Sequence, residues 1–128
     1  MNKNAIICVD DEWIILMALR VELQEKFGDK FIFETASNPI EAFDTIEMLK
    51  NEGINVLLII TDWLMPKMKG DEFLIKVKEK YPDIKFIVIS GQMDENAIKK
   101  LESDAEPLAI IKKPWNPEKL YNLIESLI

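Results

Sequence analysis

Val56-Leu57-Leu58-Ile59-Ile60-Thr61-Asp62, followed by Trp63-Leu64-Met65-Pro66-Lys67-Met68-Lys69-Gly70, is the stretch that decides the fold. An unbroken apolar run ends in a carboxylate, and a Pro and a Gly then turn the chain. The run is too short to cross a membrane and fits a strand covered on both faces, as in a parallel sheet between helices. Asp62 then closes that strand at its carboxyl end, where open α/β sheets place their binding crevice. Taken singly, an Asp in that position is an ordinary turn residue or helix cap. Its neighbours in space decide otherwise.

Outward from this strand the chain alternates. Ala5-Ile6-Ile7-Cys8-Val9 reads as a buried strand ending in Asp10-Asp11-Glu12. Leu16, Leu19, Leu23 and Phe27 then recur at helical spacing, and Gly28 closes that helix. Phe31 to Thr35 is a shorter, more mixed strand suited to a position near an edge. Asn38-Pro39-Ile40-Glu41 starts a helix, with Asn as cap, Pro in the first turn and Glu41 able to reach back. Ile40, Phe43, Ile46 and Leu49 are its expected inward face, and Asn51-Glu52-Gly53 its stop.

Beyond the central strand, a helix is expected from Gly70 to Lys80 with Phe73, Leu74 and Val77 inward; Tyr81-Pro82-Asp83 ends it. Lys85 to Ser90 is a further buried strand. Ala97, Ile98 and Leu101 mark a helix with a weak apolar face. Leu108 to Ile111 is the last strand, closed by Lys112-Lys113-Pro114. Asn116-Pro117 opens a final helix whose inward stripe is Leu120, Leu123, Ile124 and Leu127. Five strands and five helices in strict alternation imply a single α/β domain over residues 1–128, doubly wound around a parallel sheet.

Composition narrows the function. At 128 residues and 48% hydrophobic content there is enough apolar material for one core. A net charge of −7 repels nucleic acid and anionic lipid, so neither is an expected direct partner. Trp13, Trp63 and Trp115 accordingly read as packing or loop residues. The lone Cys8 forms no internal disulfide, and a reducing cytoplasm suits it. The absence of histidine excludes His-based triads, His metal sites and His general bases.

In a parallel sheet the carboxyl ends share one edge, so Asp10 and Asp11, Asp62, Ser90 and Lys113 are brought together by topology. Two like unit charges about 4 Å apart repel by roughly 4 kcal/mol at an effective dielectric near 20. Three carboxylates beside one ammonium therefore call for another cation. Oxygen donors without His or Cys suit a hard ion, and Mg²⁺ best where a phosphate shares its shell. A metal, an ammonium and a hydroxyl around one carboxylate suit phosphoryl transfer to it, with Asp62 as nucleophile. An ionised carboxylate needs no general base, which agrees with the missing histidine. Each residue alone has a plain reading as cap or turn; the set on successive strand ends does not.

Ile7-Cys8-Val9-Asp10-Asp11-Glu12, Asp62 to Gly70, Val88-Ile89-Ser90-Gly91 and Lys112-Lys113-Pro114-Trp115 resemble, in order and over the whole chain, the receiver domain of two-component response regulators. The resemblance implies a flavodoxin-like (CheY-like) five-stranded sheet of order 2-1-3-4-5. It implies that Asp62 accepts a phosphoryl group from a phosphohistidine on a sensor histidine kinase or histidine phosphotransfer protein. Mg²⁺ would be held by Asp10, Asp11, Asp62 and the backbone carbonyl of Leu64, while Lys113 and Ser90 contact the phosphoryl oxygens. The chain would assist its own phosphorylation and dephosphorylation without being an enzyme in the turnover sense.

One departure stands out. The family's switch aromatic, three residues before the Lys of Lys-Pro, is Ile110 here, so a weaker conformational response or another output surface is expected. Leu64 and Gln92 fall where the family tunes loss of the phosphoryl group. An apolar Leu64 implies slow self-dephosphorylation. Output is expected through a downstream protein target, a phosphorelay, or an effector domain in a longer parent chain, to which Trp115 after Lys-Pro slightly points. A metal-dependent aspartyl-phosphate phosphohydrolase is disfavoured by Leu64, where such enzymes carry a second acid. A flavin carrier is disfavoured by the acids after the first strand, and a degenerate scaffold by the completeness of the charged set.

Overall fold

The computed structural model describes residues 3–63, 70–91 and 93–128, the side chains of 70 and 71 excepted. In chain order the elements are β1 (Asn4–Val9), α1 (Trp13–Phe27), a 3-10 turn (Gly28–Lys30), β2 (Phe31–Ala36), α2 (Pro39–Asn51) and β3 (Asn55–Asp62). They continue with α3 (Gly70–Lys80), β4 (Lys85–Ser90), α4 (Glu95–Asp104), β5 (Ala109–Lys112) and α5 (Pro117–Glu125). All strand pairs are parallel and the sheet order is β2-β1-β3-β4-β5. The fold is flavodoxin-like, with β2 and β5 at the edges and β3 at the centre.

Side chains alternate across a strand, so β1 feeds two cores. Ala5, Ile7 and Val9 pack with α2, α3 and α4 through residues such as Ala42, Ile46, Phe73, Leu74, Val77 and Leu101. Ile6 and Cys8 face the other way, onto Leu16, Leu19, Leu23 and Phe27 of α1 and Leu120 and Ile124 of α5. Phe73 is fully buried and meets Phe43 edge to face at 5.4 Å between ring centroids. Truncating a ring so enclosed costs about 3–5 kcal/mol.

The helix ends follow their local chemistry. Asn38 accepts from Glu41 N at 3.0 Å, and Glu41 Oε2 reaches back to Ser37 N at 2.8 Å, one residue beyond the cap itself. Asp94 and Asn116 cap α4 and α5 by accepting from Ala97 N and Glu118 N. Gly28 and Gly53 take positive φ at the ends of α1 and α2, a conformation open to glycine without steric cost.

The inward face of α2 corrects the expectation from sequence. Ile40 is 56% exposed, Phe43 is half-buried, and the buried set is Pro39, Ala42, Ile46 and Leu49. Steps of three lag about 60° each at 100° per residue, so Ile40 and Leu49 lie roughly 180° apart on the helix. A stripe advancing only in threes cannot stay on one face. β5 begins at Ala109 rather than Leu108, which is half out of the sheet although its N–H still donates to Phe86 O at 2.7 Å. In α4 only Leu101 is fully buried, and in α5 only Leu120 and Ile124; Leu123 is half-buried, as is Leu127 beyond the end of the helix.

Candidate phosphoryl-transfer site

Three neighbouring strands and the loop after a fourth build the site. β1 runs into Asp10, whose N–H donates to Ala36 O of β2 at 3.1 Å, so the neighbouring strand fixes the start of the acidic turn. Asp10 Oδ1 accepts from Glu12 N at 2.9 Å, leaving Oδ2 directed to the crevice. β3 ends in Asp62, whose Oδ1 accepts from Trp63 N at 2.8 Å. β4 ends in Ser90, and Lys113 N donates to Ser90 O at 2.9 Å, which ties the loop after β5 to the end of β4. Asp10, Asp62 and Ser90 are buried, at 2%, 7% and 5% exposure. Asp11 is exposed.

From the far side Lys113 extends its ammonium to both acids, 2.9 Å from Asp10 Oδ2 and 3.5 Å from Asp62 Oδ1. Burial pushes the Asp62 carboxyl above the usual carboxylate range and the charge of Asp10 pushes it further, against the opposing pull of Lys113 and the Trp63 amide. For Lys113, burial pulls the ammonium down, yet the Asp10 hydrogen bond and the charges of Asp62, Asp10 and Glu12 prevail and hold it raised. One ammonium is shared between two carboxylates. It does not compensate both.

Asp10, Asp11 and Asp62 each present a carboxylate oxygen, and those oxygens lie within 4.8 Å of one another. The donors are all hard oxygens, and exposed Asp11 leaves one side open to water. That set fits a small divalent ion that keeps part of its hydration shell. Leu64, whose backbone carbonyl was the fourth expected ligand, lies outside the described residues, and so does Gln92. Ile110 pairs with Val88 and packs half-buried against the core on the α2–α4 side of the sheet.

The profile of the response regulator receiver domain family matches residues 6–125. The chain belongs to that family.

This receiver is 33% identical over 127 residues to the hydrogenase transcriptional regulatory protein HoxA of Cupriavidus necator, covering 99% of the chain and 24% of HoxA. It is 27% identical over 127 residues to the sensor kinase CckA of Brucella abortus, covering 99% of the chain but 13% of CckA. The receiver thus spans less than a quarter of each of these relatives. A CheY-like response regulator receiver domain protein from Methanospirillum hungatei superposes with a TM-score of 0.82 at 29% identity, covering 99% of this chain and 94% of that one.

Sequence reasoning missed the support behind Lys113. Trp115 Nε1 donates to Glu22 Oε2 on α1 at 2.8 Å, and Tyr121 Oη donates to Glu22 O at 3.2 Å. Glu22 gives no signal of this in sequence, since it sits among the mixed charged and apolar residues of α1. Trp13, expected to be a packing or loop residue, is instead 71% exposed at the start of α1, and the exposed apolar residues Ile14, Met17 and Val21 beside it escaped notice because periodicity reports the buried stripe only. Among the described residues no helix is long and apolar enough to cross a membrane.

Proposed function

We propose that this receiver, as a single unit of 128 residues, takes a phosphoryl group onto Asp62 from a phosphohistidine of a sensor histidine kinase or histidine phosphotransfer protein. The observation that carries this reading is the approach of Lys113 Nζ to Asp62 and Asp10 beside a carboxylate cluster within 4.8 Å. An ionised Asp62 oxygen forms the new O–P bond as the donor's N–P bond breaks. The electron pair of that bond returns to the imidazole nitrogen, which takes up a proton. Lys113 holds its ammonium towards the phosphoryl oxygens and Ser90 offers its hydroxyl to one of them. Asp10, Asp11, Asp62 and the Leu64 carbonyl are the residues that would hold Mg²⁺. When bound, that ion neutralises charge on the phosphoryl oxygens.

The chain gains a covalent group and then a changed surface, so it acts as a phosphoacceptor rather than a turnover enzyme. Adding a dianion beside Ser90 and Lys113 biases the β4 and β5 ends towards a second arrangement, read by a downstream protein or an effector domain in a longer parent chain. With Ile110 in place of a ring, the bias transmitted through β5 is weak, and Leu64 leaves the acyl phosphate long-lived. The buried, reduced Cys8 and the acidic surface agree with a cytoplasmic setting away from nucleic acid and membrane.

Acetyl phosphate with Mg²⁺, followed by intact mass, tests the reading. One phosphoryl group should be gained, and Asp62→Asn or EDTA should abolish the gain. A chain unchanged in mass, or modified equally as Asp62→Asn, overturns it.

A further inference from the structure

The loop that carries Lys113 is short, and it is held from both ends. Upstream, Lys113 N donates to Ser90 O at 2.9 Å. Downstream, two residues past Lys113, the Trp115 indole donates to the Glu22 carboxylate at 2.8 Å. Glu22 is the meeting point of α1 with the α5 side of the molecule: its side chain takes Trp115, and its main-chain carbonyl takes the Tyr121 hydroxyl. Ile15, Ala18 and Glu22 recur at i, i+3 and i+7, so they share one face of α1. That face lines a cleft of about 440 Å³ against Lys113, Pro114 and Trp115.

Packing alone does not require this arrangement. Trp115 is half-buried against the α1–α5 core, where a phenyl ring would supply similar apolar contact. The N–H adds direction, because a hydrogen bond to a carboxylate is stronger and more geometrically demanding than a contact. Lys113 has a long flexible stem, and its ammonium serves two carboxylates at unequal distances. Where its Nζ rests depends on where its backbone is held. An error of about 1 Å in a group that must meet a phosphoryl oxygen costs as much as 10²-fold in rate.

We infer that Trp115 and Glu22 are positioning residues for phosphoryl transfer: their hydrogen bond clamps the loop after β5 onto α1 and thereby aims Lys113 at Asp62. This rests on the proposed phosphoacceptor role of Asp62. The clamp touches neither the acids nor the incoming group. Its whole effect runs through Lys113.

The test is the rate of phosphorylation by acetyl phosphate with Mg²⁺, with thermal melting run in parallel. Trp115→Phe keeps the ring and loses the donor; Glu22→Leu keeps the bulk of the side chain and loses the acceptor; Glu22→Gln keeps an acceptor oxygen. Trp115→Phe and Glu22→Leu should each slow the reaction by about tenfold at a temperature where both are folded, and Glu22→Gln should stay near the wild-type rate. Placed on Lys113→Ala, neither slowing variant should slow the reaction further, because the side chain they act through is gone. Wild-type rates in Trp115→Phe and Glu22→Leu overturn the inference, as does an undiminished tenfold loss on the Lys113→Ala background. If Trp115→Phe does not fold, Glu22→Leu decides by the same two readings. A wild-type chain that gains no phosphoryl group overturns the function itself, and the clamp with it.

Discussion

Lys113 and Asp10 stand 103 residues apart in the chain and meet at 2.9 Å, with Asp62 3.5 Å from the same ammonium. The contact joins the first strand's turn to the last strand's loop across β3 and β4. Lys113 is the sole cation reaching Asp10 and Asp62 among the described ion pairs. Replacing it with Ala leaves two buried acids facing each other and removes the ammonium from the path of the transferred group. Removing one preorganised charge from a transition state costs on the order of 10²-fold or more. Lys113→Ala should therefore fold and be phosphorylated by acetyl phosphate about 100-fold more slowly, measured as the time course of mass gain. A rate within twofold of wild type would place the essential cation elsewhere.

Asp62 is held above the usual carboxylate range, mainly by burial and next by Asp10. Its folded form binds a proton more tightly than the unfolded chain does. Stability from this group is therefore full below the unfolded value of about 3.9 and falls as pH rises through the raised folded value. The usual salt-bridged aspartate behaves in the opposite sense. Asp62→Asn removes the charge at similar volume, so it should be more stable than wild type at neutral pH. The stability difference should shrink towards zero as pH is lowered to about 4. Paired thermal melts across that range check the sign; a variant less stable than wild type at pH 7 contradicts it.

Asp62 belongs to the carboxylate cluster with Asp10 and Asp11 that fits a cation. A ligand that binds only the folded state stabilises it by RT ln(1 + [L]/Kd), about 2.7 kcal/mol at one hundred times Kd. Mg²⁺ should raise the melting temperature of the wild type, while an equal ionic strength of NaCl should not match it. Asp10→Asn and Asp62→Asn should each blunt the rise, since each removes one of the three clustered acids. A Mg²⁺ response that survives in both variants would put the ion elsewhere on this acidic surface.

Most of the architecture was legible because its signals are local. The α3 range Gly70–Lys80 and the β4 range Lys85–Ser90 follow from Pro, Gly and unbroken apolar runs, and the α1 stripe of Leu16, Leu19, Leu23 and Phe27 from its spacing. Convergence of Asp10, Asp11, Asp62 and Lys113 was legible because parallel topology collects strand ends on one edge. The orientation of α2 was not, because four apolar residues in steps of three define no face: Ile46 and Leu49 are buried as expected, but Pro39 and small Ala42 complete the face in place of Ile40 and Phe43. The Glu22–Trp115 hydrogen bond was hidden for a related reason: residues 93 apart are brought together by helix packing, which no spacing rule encodes.

The outer face of α1 supplies the last test. Trp13, Ile14, Met17 and Val21 are 71%, 65%, 47% and 48% exposed, and the stripe starts two residues after Asp11. Trp13, Met17 and Val21 follow each other at i, i+4 and i+8, so the patch runs along the helix away from the acidic crevice. A protein that brings a phosphohistidine against Asp62 must cover the rim of that crevice, and an apolar rim lowers its free energy by being covered. Acetyl phosphate is small and needs no such surface. Ile14→Asp and Met17→Glu should therefore slow transfer from a phosphorylated histidine donor that serves the wild type, by about tenfold, the effect of losing roughly 1.4 kcal/mol of docking energy. Phosphorylation of the same variants by acetyl phosphate should stay within about twofold of wild type, because both side chains are exposed on α1. Equal slowing with both donors would mean that the substitutions disturb the site itself, and no slowing with either would move the docking surface off α1.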